Sequence, residues 1–255
     1  MDSIAILSGF AVGAIVGMTG VGGGSLMTPL LIGVFKLHPA LAIGTDLWFA
    51  ALTKTGGAVA HTRHGHVDWG ITKLLLAGSL PAAVGMIALM HATGITKNWA
   101  SALTLSLGIA LLLTAVVVAY RQAWTAVGLK LERWLPEQHK PALTVASGAI
   151  LGALVTLSSI GAGALGATLI LLLYPHMKPA EVAGTDIAYA VPLTAIAAVG
   201  HWWLGSIDWM LLLTLLVGSL PGITVGSYFA KSVPERMLRG LLAFILVAVA
   251  AKLIF

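Results

Sequence analysis

Eight apolar stretches, at roughly 4–36, 40–61, 69–91, 97–120, 141–174, 180–203, 209–231 and 236–255, take up nearly the whole chain. They leave few ways for it to fold. Six are close to the ~20 residues that a helix needs to cross a bilayer. Hydrocarbon offers no water to backbone N–H and C=O groups, so a spanning segment must satisfy its own, as a helix does. Composition agrees: 9% of the 255 residues are charged and 58% hydrophobic, where a soluble domain carries about 25% charged residues. The chain is therefore read as an all-α integral membrane protein. It has no cysteine, which removes disulfides, thiolate metal sites and cysteine nucleophiles. "MDSIAILSGF" lacks the basic start of a cleavable signal, so the first apolar segment is expected to stay. The net charge of +5 comes without aromatic-interleaved basic runs, which sets nucleic-acid partners aside.

Two of the stretches are too long for one crossing. A fully helical 4–36 would reach about 50 Å, against a hydrocarbon core of ~30 Å. Both are interrupted by glycine, in "GMTGVGGGSLMTP" (Gly17–Pro29) and "SSIGAGALG" (Ser158–Gly166). Each is expected to break into a re-entrant hairpin of two short helices.

The chain also repeats itself. Ser8-Gly9 matches Ser147-Gly148, Gly20–Gly24 matches Ser159–Gly163, and "HPALAIGTD" ending at Asp46 matches "KPAEVAGTD" ending at Asp186. His61 matches His201, Asp68-Trp69 matches Asp208-Trp209, and "GSLP" at Gly78–Pro81 recurs at Gly218–Pro221. The expected organisation is a first repeat at 1–120, a cytoplasmic linker at 121–140 and a second repeat at 141–255. One broken hairpin plus three unbroken transmembrane helices is an odd number of crossings, so the second repeat should be inverted relative to the first. Loop charge supports this. With Met1 on one side, the opposite side receives Arg63, Arg121, Lys130, Arg133, Lys140, Lys178, Lys231, Arg236 and Arg239, and the Met1 side only Lys36, Lys97 and Lys252. The positive-inside rule makes the nine-cation side cytoplasmic and puts both termini outside. Two inverted-topology repeats around broken helices is a common plan for secondary transporters, in which one repeat rocks against the other.

Inversion would bring the two glycine breaks together near mid-bilayer. The helix after each break begins with N–H groups that lack an intrahelical partner, at the positive end of a helix dipole. Gly22, Gly23, Gly24 and Ser25, with Gly161, Ala162, Gly163 and Ala164, thus read as a paired cradle for an anion; the plainer reading is that these glycines permit tight helix packing. Lys54 falls mid-span with no acidic residue in its own turn. It is either a counter-ion for the substrate, or part of a proton switch, or the partner of Asp46 or Asp186 in a structural ion pair. Asp46 and Asp186, in identical "GTD" triplets, suit proton uptake on one side and release on the other, or brace the neighbouring hairpin tips through backbone hydrogen bonds. Thr45 and Thr185 could donate to a ligand oxygen. "HTRHGHVD" resembles a metal loop, but only its first histidine and its aspartate survive in "HWWLGSID". His61 and His201 are better read as closing polar networks at two entrances, and Asp68 and Asp208 as helix caps. Trp69, Trp99, Trp202, Trp203 and Trp209 lie near span ends, as in an interfacial belt. No H-E-x-x-H, G-x-S-x-G or Walker loop is present, so neither an enzyme nor an ATP-driven pump is expected, and no cofactor.

The glycine break followed by "SLMTPLL", the "AIGTDLWFAALTKTGGAVAHTRHGHVDW" block and the duplicated "GSLP" resemble the sulfite exporter TauE/SafE family, also called the toluene-sulfonate uptake permease group. The similarity covers the chain except the linker. It implies a bacterial inner-membrane carrier, driven by protons, for sulfite, sulfoacetate or other organosulfonates. The family pattern falls on Gly20, Gly22, Gly23, Gly24, Pro29, Gly44, Thr45, Asp46, Lys54, His61, Gly65 and Asp68. The second copy departs from it at Ala162, Thr168 and Thr194. The expected partners are a small anion, protons and the lipid bilayer, with a homodimer allowed. The rivals are a passive anion channel and a metal-dependent intramembrane protein.

Overall fold

The computed structural model describes residues 3–19, 24–94, 100–229 and 235–254. Among them it is all-helical. The helices are α1 (Ser3–Thr19), α2 (Gly24–Gly33), α3 (Pro39–Arg63), α4 (Trp69–Thr93), α5 (Ala100–Ala119), α6 (Arg121–Glu132), α7 (Lys140–Ser158), α8 (Ala164–Leu173), α9 (Pro179–Trp203), α10 (Trp209–Phe229) and α11 (Glu235–Ile254). A single 3₁₀ turn, Glu137–His139, leads into α7. Five of these segments are long and apolar enough to cross a membrane: α4, α5, α7 with its leading turn, α9 and α10. α3 is as long, at 25 residues, but carries Asp46, Lys54 and Arg63 and packs among α2, α5, α7, α9 and α10.

Local chemistry sets the helix ends. Asp68 caps α4 by accepting the Ile71 N–H at 3.0 Å, and Asp208 does the same for Leu211 at the start of α10, also at 3.0 Å. α9 opens with Pro179 and a reciprocal bond from the Lys178 N–H to Glu181.

The second glycine break lies where expected, but its arms differ from the two short helices anticipated. α7 runs 19 residues and α8 only 10. α7 stays regular because Gly148 and Gly152 press it against α4 along its length, with the Leu75 and Ser79 carbonyls where β-carbons would be. It ends at Ser159, whose left-handed φ of 59° caps it; Gly161 (φ 130°) and Gly163 (φ 143°) then turn the chain. α8 folds back along α7, so Tyr174 Oη lies 2.8 Å from Thr144 Oγ1 near the start of α7. The linker is itself structured. Gly128 of α6 sits against the Leu171 carbonyl, while Glu132 accepts from Lys140 (2.9 Å) and pairs with His176 (2.8 Å).

Helix pairing follows the sequence repeat in detail. On α1, Gly9 and Gly13 face the Leu215 and Ser219 carbonyls of α10; on α7, Gly148 and Gly152 face those of Leu75 and Ser79 on α4. In return, Gly218 of α10 faces the Ile6 carbonyl and Gly78 of α4 the Val145 carbonyl. Both pairs run parallel in a G-x-x-x-G register that brings backbones into contact. α3 and α9 run antiparallel. Gly44 meets the Ser206 carbonyl and Gly184 that of His66, while the Thr45 hydroxyl accepts the Asp208 N–H and the Thr185 hydroxyl the Asp68 N–H, each at 3.0 Å. Contacts of position i on j are thus returned by their counterparts, the pattern of a self-complementary interface.

The apolar interior forms two cores. One is built from α4, α7, α8 and α9 with Ile43 and Leu47 of α3; the other from α1, α2, α5, α10 and α11 with Ala42 and Phe49 of α3.

Candidate functional site at the second glycine break

α3 carries a lysine past the tip of the second hairpin. Its position in the middle of a 25-residue helix, with no acidic neighbour in the same turn, turns the ammonium away from α3. Lys54 Nζ donates to the Ala162 carbonyl, inside the break. The charges of Asp186 and Asp46 both reach it, although among the described residues neither carboxylate lies within ion-pair distance. Lys54 is therefore tied to the backbone of the break and flanked by two carboxylates.

Those carboxylates are deeply buried, Asp46 at 0% and Asp186 at 4% exposure. Asp46 accepts from the Thr28 N–H at 3.2 Å and from the Thr28 hydroxyl, so it braces α2. The Gly163 N–H points to the Asp186 carboxylate, which braces α8. One oxygen of each, Oδ1, has no partner among the described residues. Two further polar groups share that condition: Ser159 Oγ, beside Asp46 but without a closed hydrogen bond to it, and Tyr189 Oη, one turn along α9 from Asp186. Buried polar atoms are nearly always paired. Two of the four, the aspartate oxygens, flank Lys54, and Ser159 and Tyr189 lie beside those aspartates, which leaves polar groups there open to a ligand.

The break contributes donors as well. Gly166 and Ala167 bond back to the Gly161 and Gly163 carbonyls at 2.9 Å, and Gly163 supplies no side-chain cap. The Ala164 and Leu165 amides are left as first-turn donors without a carbonyl among the described residues.

The structure treats the other sequence candidates unequally. Gly22 and Gly23 lie outside the described residues; Gly24 opens α2, followed by Ser25. Thr45 and Thr185 are fully buried, their hydroxyls taken up by the inter-helix bonds to Asp208 and Asp68. His201 is fully buried, with Nε2 3.0 Å from the Thr156 carbonyl. Its counterpart His61 is half-buried and lies 5.5 Å, ring to ring, from His66. Among the described residues no group of three or more His, Cys, Asp or Glu is arranged to hold a metal ion. Tyr189, Ser159 and Thr28 were not anticipated. Thr28 and Ser159 lie inside the two glycine-break motifs without having been singled out, and the signal that could have found Tyr189 is its mismatch with Phe49, its counterpart in the repeat.

Comparison with known proteins fits a lysine and two carboxylates buried in a helical membrane protein. The family description "Sulfite exporter TauE/SafE" matches residues 5–253. The chain belongs to the sulfite exporter TauE/SafE family. Its similarity to "Probable membrane transporter protein YjnA" of Bacillus subtilis (strain 168) is 37% identity over 252 residues, 98% of each chain. "Probable membrane transporter protein YdhB" of the same organism is 26% identical over 98% of each chain. A "Probable membrane transporter protein" of Xylella fastidiosa (strain 9a5c) is 26% identical over 99% of this chain and 94% of its own. No solved structure matches. TauE/SafE membership makes this a membrane protein of a transporter family, and the relatives span its full length.

Proposed function

We propose that the chain is a secondary, proton-coupled exporter of small sulfur-containing anions, such as sulfite or organosulfonates, in the bacterial inner membrane, and not an enzyme. The observation that carries this reading is Lys54, a cation in the middle of the molecule held against the Ala162 carbonyl at a break whose next amides lack acceptors. A buried positive charge beside a helix N-terminus attracts an oxyanion. The matched first break, at Gly22–Ser25, is proposed as the other side of the cradle.

Coupling follows from the same charges. Lys54 and two ionised carboxylates leave one negative charge in excess, so an anion can join them only if at least one proton comes too. Asp46 and Asp186 are the proposed carriers of that proton, and His61 and His201 the proposed gates. The antiparallel run of α3 and α9, with matched residues at opposite ends, supports two inverted-topology repeats with the site between them. The cation-rich loops then face the cytoplasm and both termini the periplasm. The anion is exposed to alternate sides in turn.

Lys54→Ala in proteoliposomes tests the reading. With a proton gradient imposed, the wild-type chain should accumulate radiolabelled sulfite and the variant should not. Unchanged uptake by the variant removes Lys54 from the site. Wild-type flux that never accumulates sulfite, whatever the gradient, would make the protein a channel.

A further inference from the structure

The two halves match position by position, so a residue in one half that its counterpart lacks is not required by the scaffold. Near the breaks such differences gather on one side. Phe49 of α3 and Tyr189 of α9 are counterparts, both essentially fully buried at 1% and 0% exposure. The first half does without a hydroxyl there. In the second half that hydroxyl is buried with no partner among the described residues, and a polar atom left this way costs about 1–3 kcal/mol. Met27 and Gly166 are also counterparts. Met27 is fully buried and fills its site. At Gly166 the corresponding space holds the Asp186 carboxylate, with the Tyr189 ring 3.2 Å from where a β-carbon would sit. Thr28, which donates twice to Asp46, is matched by Ala167, so Asp186 has no hydroxyl to satisfy it. Beside Asp46 the matched positions hold Met27 and Phe49; beside Asp186 they hold Gly166 and Tyr189, whose hydroxyl adds one more unpartnered polar group.

We infer that at the second break the substrate anion is held by the Tyr189 hydroxyl as donor and the free Asp186 oxygen as acceptor, and that the pair selects an oxyanion carrying a proton of its own. This rests on the anion-transport reading above and sharpens it. The groups that face Asp186 are Lys54 of α3, the Gly163 N–H of the break and Tyr189, with Gly166 against its free oxygen. Lys54, the Gly163 N–H and the Tyr189 hydroxyl can all donate. While Asp186 is ionised, an anion with no proton leaves its oxygen without a donor, whereas a protonated anion supplies one and brings with it the coupling proton that Asp186 then carries. A site built to bond a ligand's hydroxyl rejects analogues that lack it, because its own buried groups then go unpaired. Tyr189 and Asp186 hold and discriminate the anion; neither takes part in a covalent step.

The test is ligand-induced thermal stabilisation of the purified chain in detergent, with sulfite and sulfate at one mildly acidic pH, where sulfite carries a proton and sulfate does not. The wild-type chain should bind sulfite and should bind sulfate at least about tenfold more weakly, the effect of one unpaired buried group. Tyr189→Phe should weaken sulfite about tenfold while its melting temperature without ligand is no lower than that of the wild-type chain, since the hydroxyl removed has no partner there. Asp186→Asn, whose amide can donate to sulfate, should bring the two anions within a few-fold of each other. This ratio is a readout that a merely structural role would not move. Equal binding of sulfite and sulfate by the wild-type chain overturns the selectivity, and full sulfite affinity in Tyr189→Phe overturns the placement, with the transport reading intact in both cases. Binding of neither anion by the wild-type chain would remove the transport reading itself.

Discussion

α3 and α9 are counterparts of equal length that share a "GTD" triplet, yet only α9 keeps one face buried along its whole length. At the triplet end they agree: Thr45 and Thr185, Asp46 and Asp186 are all buried, and each threonine accepts the matching aspartate N–H from the other half. Beyond that they part. Thr194, Ala197, Ala198 and His201 of α9 are buried at 0–1% exposure. Their counterparts Lys54, Gly57, Ala58 and His61 are only half-buried. Gly200 is pressed onto the Ile87 side chain, whereas its counterpart Ala60 is exposed. The triplet ends are framework, alike because both crossings need the same close approach. The far ends are free to differ, and the lysine sits on the open one.

Six substitutions would break or sharpen this contrast. The largest effect is expected from Thr194→Lys, which places a cation on the sealed helix at the position matching Lys54. Thr194 is 1% exposed and donates to the Ala190 carbonyl at 2.8 Å. An uncompensated charge there should cost roughly 3–5 kcal/mol and prevent folded protein from accumulating in membranes, as read by size-exclusion of a fluorescent fusion. A well-behaved variant would show that the two helices are not sealed differently after all. Next come Gly44→Leu and Gly184→Leu, which drive a side chain into the Ser206 and His66 carbonyls. Both should lose about 1–3 kcal/mol and by similar amounts; a large inequality in melting temperature would mean that the crossings are not equivalent.

The histidines should separate in the same experiment. His201→Ala strips the Thr156 carbonyl of its partner in a buried place and should cost about 1–3 kcal/mol. His61→Ala, at the half-exposed end, should stay within about 0.5 kcal/mol. The smallest effect concerns Glu132, outside the membrane helices. The bond from Lys140, helped by His176, holds its carboxyl below the usual glutamate range. A carboxyl lowered in the folded state stabilises at neutral pH, and that contribution is lost as pH falls through the folded value. Glu132→Gln should therefore melt slightly below the wild-type chain at pH 7. The gap should close only below about pH 4.

Much of this fold was legible because the repeat held its register. The match of Gly9 with Gly148 and of Gly44 with Gly184 reappears as matched contacts on Leu215 and Leu75, and on Ser206 and His66. The left-handed turn at Ser159–Gly163 lies where the second glycine cluster pointed. The same alignment was read only for likeness, and that is why the site was half seen. Lys54 stood out as a charge in an apolar run. Tyr189 did not, since an aromatic in a buried helix is ordinary until its hydroxyl is found without a partner, and that is a fact of three dimensions. The same limit hid the G-x-x-x-G faces of α1 and α10: spacing announces close packing without naming the helix that comes close.

The backbone-to-backbone seams have a mechanical consequence. α1 is locked to α10, and α4 to α7, so both G-x-x-x-G seams tie one half of the sequence repeat to the other. Two interlaced combs cannot swing apart as separate hands. The pieces they leave to slide past one another are two mixed-parentage lobes, with α3 and α5, which lend side chains to both, as the shared axle.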